Sequence, residues 1–134
     1  MSEQYLKELD ELIIAAEDII DFKIIRRTIW DTDLEKIGLY RYRVYFRDGS
    51  LLELTERLVE EKGQLQAAKY RFHWQDKEGK LTKRWDNARH HPEISTFPHH
   101  LHAGSEGNVV AHTYSNALEI LSIVIKEINK KSPD

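Results

Sequence analysis

The sequence predicts an α+β domain: an antiparallel five-stranded meander sheet, N- and C-terminal helices packed on one face, and a long His-rich loop before the last helix. Three observations predict it. Apolar residues recur at helical spacing at both ends of the chain. Between them the period changes to two, in short runs separated by turn signals. The stretch 86–112 then shows neither period and carries Pro92, Pro98, Gly104 and Gly107. A chain of 134 residues fits one such domain, divided here into a helix over 1–21, a sheet over 22–88, a loop over 89–112 and a helix over 113–131.

Tyr5, Leu6, Leu9, Leu12, Ile13, Ala16, Ile19 and Ile20 form the stripe of the first helix, which starts near Ser2. Phe22 to Trp30 is rich in β-branched and aromatic residues and reads as the first strand, punctuated by Asp31-Thr32-Asp33. In the second strand Tyr40, Tyr42, Val44 and Phe46 alternate with Leu39, Arg41, Arg43 and Tyr45, one set buried and the other largely wet. Asp48-Gly49 is a hairpin signal, so 51–59 returns antiparallel with Leu52, Leu54 and Leu58 facing in. After Gly63, Ala68, Tyr70, Phe72 and Trp74 alternate with Lys69, Arg71, His73 and Gln75 in a fourth strand. Asp76 to Gly79 turns the chain into a fifth, Leu81–Trp85. Tyr114, Ala117, Leu118, Leu121, Val124, Ile125 and Ile128 make the closing helix, capped near Thr113 or Asn116 and ending in Lys130-Lys131-Ser132-Pro133.

Composition narrows the function classes. Cysteine is absent, which excludes disulfides, thiolate metal sites and cysteine nucleophiles and fits a cytoplasmic protein. No hydrophobic run approaches the roughly 20 residues that cross a bilayer. The net charge of −3 is unevenly spread: residues 1–21 sum to −6, whereas Lys23–Arg47 and Lys69–Arg89 each sum to +4. A basic sheet face of this kind suits a phosphate backbone, and it also suits neutralisation by the acidic helix.

Six of the seven histidines, His90, His91, His99, His100, His102 and His112, fall within the 23 residues from 90 to 112. Imidazole serves as general acid, general base or metal ligand, so the loop is the candidate functional element. Three readings compete. In one, His100 and His102, on the same side of an extended segment, bind a divalent ion with Asp86 or His91, although the spacing matches no standard zinc motif. In the second, the imidazoles cleave a phosphodiester without metal or other cofactor, while Arg71 and Arg84 meet the phosphoryl charge. In the third, they only satisfy the backbone of an irregular loop. Arg84-Trp85-Asp86-Asn87 stands where the fifth strand opens into this loop. Asp86 is placed to orient a histidine and Asn87 to bond a base edge or phosphate; an Asx turn that stops the strand is the structural alternative. Trp30, Trp74 and Trp85 read as core residues rather than stacking platforms.

The ordered set Tyr70-Arg71-Phe72-His73-Trp74, Arg84-Trp85-Asp86-Asn87-Ala88-Arg89-His90-His91-Pro92 and Phe97-Pro98-His99-His100-Leu101-His102 resembles the TumE family, small prokaryotic proteins assigned as the toxin component of toxin–antitoxin pairs. The resemblance runs from about residue 22 to residue 125. It implies a cytoplasmic toxin neutralised by a co-encoded antitoxin protein, and by analogy with other small toxins it points to RNA as target. The expected catalytic set is His91, His100, His102, Asp86 and Arg71, with Arg84, Asn87, His90 and His99 binding substrate, in a metal-independent ribonuclease without cofactor. A non-enzymatic binder of nucleic acid or protein and a metal-dependent enzyme are the alternatives. No membrane partner is expected, and a homodimer is compatible with the sequence.

Overall fold

The computed structural model describes residues 1–131, so the expected helix stop at Ser132-Pro133 lies outside the described residues. The chain runs α1 (Ser2–Ala15), β1 (Ile19–Asp31), β2 (Lys36–Phe46), β3 (Leu51–Glu61), β4 (Gln64–Gln75), β5 (Leu81–Asp86), β6 (His100–Ala103), β7 (Val109–Ala111) and α2 (Ala117–Lys130). All strands pair antiparallel with their sequence neighbours, giving one sheet in the order β1-β2-β3-β4-β5-β6-β7. The α+β class and the meander are as expected; the sheet has seven strands, not five. The two additional strands lie inside the stretch expected to be irregular. They are four and three residues long, and the buried positions of β6 are histidines, so no apolar alternation marks them.

The first helix ends at Ala15, six residues before the expected boundary, because Ala16 is already extended. Ile19 and Ile20 fit the helical stripe in register yet belong to β1, where Ile20 faces solvent. The second helix starts where one of the two expected caps lies. Asn116 accepts from the backbone of Glu119, and the Glu119 side chain accepts from the backbone of Asn116, a reciprocal box that satisfies two free helix-end donors.

Strand alternation divides the sheet cleanly. Tyr40, Tyr42, Val44 and Phe46 of β2, Leu52, Leu54 and Leu58 of β3, Tyr70, Phe72 and Trp74 of β4 and Trp85 of β5 form the core with Tyr5, Leu6, Leu9 and Ile13 of α1 and Ala117, Ile120, Leu121, Val124 and Ile128 of α2. Trp74 and Trp85 are core residues as expected, whereas Trp30 on β1 is 36% exposed. One acidic side chain lies in this core. The Glu56 carboxylate accepts from the hydroxyls of Tyr5, Tyr40 and, at 2.8 Å, Tyr114, and the Tyr5 hydroxyl in turn accepts from the first backbone N–H of α2, that of Ala117. Sheet and both helices are thus joined through one group. Burial raises the Glu56 carboxyl above its ordinary value, and the three hydroxyls only partly offset this.

Candidate functional site

The opposite positions of the same strands build the outer face. Cross-strand pairing puts Arg41 of β2 beside Thr55, Thr55 beside Arg71, Arg71 beside Asp86 and Asp86 beside His100, one row across five strands. The adjacent row holds Arg43, Glu53, His73, Arg84 and His102. The segment 87–99 turns back over this face. It is held by successive turns, with Ile94 N–H bonded to His91, Phe97 to Ile94 and His99 to Thr96. The Thr96 hydroxyl donates to the carbonyl of His99 and accepts from the backbone of His112, tying the segment to the chain beyond β7.

Beneath it Asp86, His100 and His102 are 5%, 2% and 5% exposed. His100 Nε2 lies 3.0 Å from Asp86 Oδ1 and His102 Nε2 3.6 Å from Asp86 Oδ2. Asp86 also accepts from the backbone of Ala88 at 2.9 Å and from Arg84 Nε at 3.3 Å. The first of these is the Asx turn weighed from the sequence, so one carboxylate both stops the strand and orients the imidazoles. His91 packs edge-on against both rings, with centroids 5.0 Å from His100 and 5.8 Å from His102, and one ring nitrogen of each of the three lies within 4.8 Å of the others. A cleft lined by Arg71, Arg84, Asp86, Ala88, His90, His91, His100, His102 and Glu106 leads to the cluster.

The expected catalytic set His91, His100, His102, Asp86 and Arg71 therefore lies together. Of the expected binding residues, His90 and Arg84 line the same cleft, but Arg84 is bound on both sides, to Asp86 and in a forked pair with Glu106. The Glu106 contact, set against partial burial, holds the Arg84 guanidinium firmly charged. Asn87 and His99 lie elsewhere. The Asn87 side chain accepts from Tyr70 N–H and donates to the Ala68 carbonyl, fastening β4 where β5 ends. His99 follows the strand alternation to the inner face, where it bonds the Tyr70 hydroxyl at 2.8 Å and stacks on that ring. His112 is remote too, bonded to the Thr113 carbonyl.

Sequence reasoning missed Glu93, Pro98 and Glu106. His91 Nδ1 lies 3.3 Å from the Glu93 carboxylate, His100 Nδ1 2.9 Å from the Pro98 carbonyl and His102 Nδ1 2.8 Å from the Glu106 carbonyl. Two of these partners are backbone oxygens, which leave no trace in residue type. Glu93 had a visible signal, standing two residues after His91 in a Pro-containing turn.

No helix among the described residues is long and apolar enough to cross a membrane. A search of curated proteins and a search of solved structures each return no significant match. The family model described as Toxin TumE matches residues 9–132, a span that takes in the sheet, the histidine cluster and the second helix. Membership of a toxin family implies an antitoxin partner. The chain belongs to the TumE toxin family.

Proposed function

We propose that this toxin acts on RNA as a ribonuclease, with the Asp86–His91–His100–His102 cluster as its reaction centre. The observation that carries the reading is the continuity of the cluster with a cationic strip. Arg71 borders both the histidine cleft and a second hollow lined by Arg41, Arg57 and Lys69 on the same face. Arg41 stands three strands from Asp86, about 14 Å at normal strand spacing, a path long enough to seat more than one phosphate. Two carboxylates line that hollow: Glu56 is buried against the tyrosyl hydroxyls, and Glu53 pairs with Arg41 and Arg43 at 3.0 Å, while Arg71 reaches Glu53 only at 4.0 Å. Arg71 is therefore the cation best placed to meet a phosphoryl group at the mouth of the centre.

Breaking a phosphodiester requires that the attacking hydroxyl lose a proton and that the leaving oxygen gain one. The cluster of imidazoles around Asp86 opens on one cleft, where both transfers would take place. Arg84, engaged at both ends, keeps Asp86 oriented instead of clamping substrate. The test is incubation of total RNA with wild-type protein and with the His100→Ala/His102→Ala double variant, with and without chelator, read on a gel beside a binding measurement. The expected result is cleavage by the wild type alone, with RNA binding retained in the variant. RNA bound but left intact by both proteins would reject the enzyme and leave a non-enzymatic binder.

A further inference from the structure

We propose that the reaction centre holds one divalent metal ion of the borderline zinc or cobalt type, ligated by His91, His100 and His102, with a water in the fourth position and the Asp86 carboxylate alongside. The hydrogen bonds of the rings carry this. A carbonyl oxygen can only accept, so the Nδ1 of His100, facing Pro98, and that of His102, facing Glu106, are both N–H donors. In the neutral ring each Nε2 then carries a lone pair, and each faces an oxygen of one carboxylate, at 3.0 and 3.6 Å. Lone pair facing lone pair in a buried setting is repulsive and needs positive charge between them. At 3.6 Å the His102 gap is longer than a hydrogen bond, a span that an ion between the rings accommodates. A single dication bound to both Nε2 atoms, with the carboxylate beside it, relieves both contacts at once.

The third ring completes the pattern. With His91 Nδ1 donating to Glu93, its Nε2 is also free to ligate. All three rings thus have the outer N–H tied to an oxygen acceptor, the arrangement that fixes tautomer and aim in imidazole metal sites. A tetrahedral ion with metal–nitrogen bonds of about 2.0–2.1 Å sets its donors about 3.3 Å apart. Here one ring nitrogen of each histidine lies within 4.8 Å of the others, so closing those three on an ion takes a shift of about 1.5 Å at most. His91, on the segment 87–99 and the least buried of the three, is the ring free to make it. The ion also answers a difficulty of metal-free chemistry: His100 and His102 are too deeply covered to exchange protons with a polynucleotide directly. A water on the ion, at the cleft mouth beside Arg71, is exposed to the substrate and deprotonates near neutral pH. The inference rests on the reading of this cluster as the reaction centre only for that catalytic role, not for binding.

The experiment is a titration of chelator-stripped full-length protein with Co²⁺, followed by visible absorption, with RNA cleavage measured on the same samples. The expected result is saturation at one equivalent with the intense bands of a four-coordinate cobalt site, displaced by Zn²⁺. His91→Ala, which removes a ligand at the less buried ring, should weaken binding by at least about 100-fold, and Glu93→Ala by about 10-fold, the latter in the range seen when a supporting group is lost. His99→Phe and His90→Ala should leave the titration unchanged. Absence of saturation at one equivalent, or equal binding by the His91→Ala protein, overturns the proposal. Cleavage that persists in metal-free protein removes the ion's catalytic role while sustaining the ribonuclease. Stoichiometric binding with RNA left intact sustains the ion site and removes the ribonuclease.

Discussion

Replacing Glu56 by alanine should destabilise the protein strongly without unfolding it, whereas glutamine at the same position should be tolerated. Glu56 is 1% exposed and accepts three tyrosyl hydroxyls. Alanine strands the hydroxyls of Tyr40 and Tyr5, both buried, at about 1–3 kcal/mol each, while the hydroxyl of Tyr114, whose side chain is 38% exposed, turns to water. Relief of the buried carboxylate offsets part of this, leaving a loss of about 2–4 kcal/mol against a total stability of about 5–15 kcal/mol. Glutamine keeps an acceptor for Tyr5 and Tyr40 and offers an N–H to Tyr114, so its effect should stay within about 1 kcal/mol. The pH dependence separates the two mechanisms. Because burial raises the Glu56 carboxyl in the folded state, its contribution is fully present below its unfolded value of 4.5 and fades as pH rises through the folded value. Glu56→Gln should flatten that part of the stability curve. Urea unfolding at several pH values measures both effects, and at a slope of about 2 kcal/mol/M the alanine variant should shift its midpoint by roughly 1–2 M. An alanine variant within about 1 kcal/mol of wild type, or a glutamine variant worse than alanine, would refute the account of Glu56 as the junction of sheet and helices.

Arg71→Gln should lower RNA affinity and reduce the slope of log affinity against log salt by about 1, as expected when one phosphate contact is lost; a salt titration of binding checks it. Arg84→Ala should reduce cleavage at least as severely as Arg71→Gln but leave the salt slope near wild type, since Arg84 acts through Asp86; an Arg84 variant with a reduced slope would place it on the substrate. His99→Phe should keep the stack on Tyr70, lose about 1 kcal/mol for the missing hydrogen bond and leave cleavage intact, whereas His100→Ala should abolish it. His73 and His99 are both held below the ordinary imidazole value, chiefly by burial and further by Arg71 and His100 respectively. Their contribution is present above pH 6.5 and lost as pH falls through their folded values, so the His73→Gln/His99→Gln pair should unfold less readily in mild acid relative to its own stability at pH 8. A parallel pair of acid-unfolding curves would argue against it.

The alternating strands were legible because each couples a fully apolar set to a charged one; Tyr40 to Phe46 and Tyr70 to Trp74 leave no other period available. Asp48-Gly49 was legible for a stereochemical reason, since Gly49 sits at φ +86 and the Asp48 side chain bonds both the backbone and the hydroxyl of Ser50. The end of α1 was not, because Ile19 and Ile20 satisfy a helical stripe and a strand equally well, and what decides is pairing of Ile19 with Phe46 in β2. Histidine clustering pointed to the segment that carries the candidate centre, yet clustering alone cannot separate His99 from His100. That separation follows from placing 100–103 on a strand: neighbours in extended chain point to opposite faces, and here the outer face carries the Asp86–His91–His100–His102 cluster. The supporting carbonyls of Pro98 and Glu106 depend on the path of the loop, which no side-chain pattern encodes.

The strict division of this sheet into two faces has a consequence for how such a toxin can change over generations. Positions that hold the core and positions that meet the outside alternate along β2, β3 and β4, so Arg41, Arg57, Lys69 and Arg71 can be exchanged without disturbing Tyr40, Leu54, Leu58 or Phe72. Target preference can drift while the scaffold stays in place. At Asp86 that freedom ends, because the carboxylate that closes β5 is the same one that aims the imidazoles, and there a substitution alters folding and chemistry together.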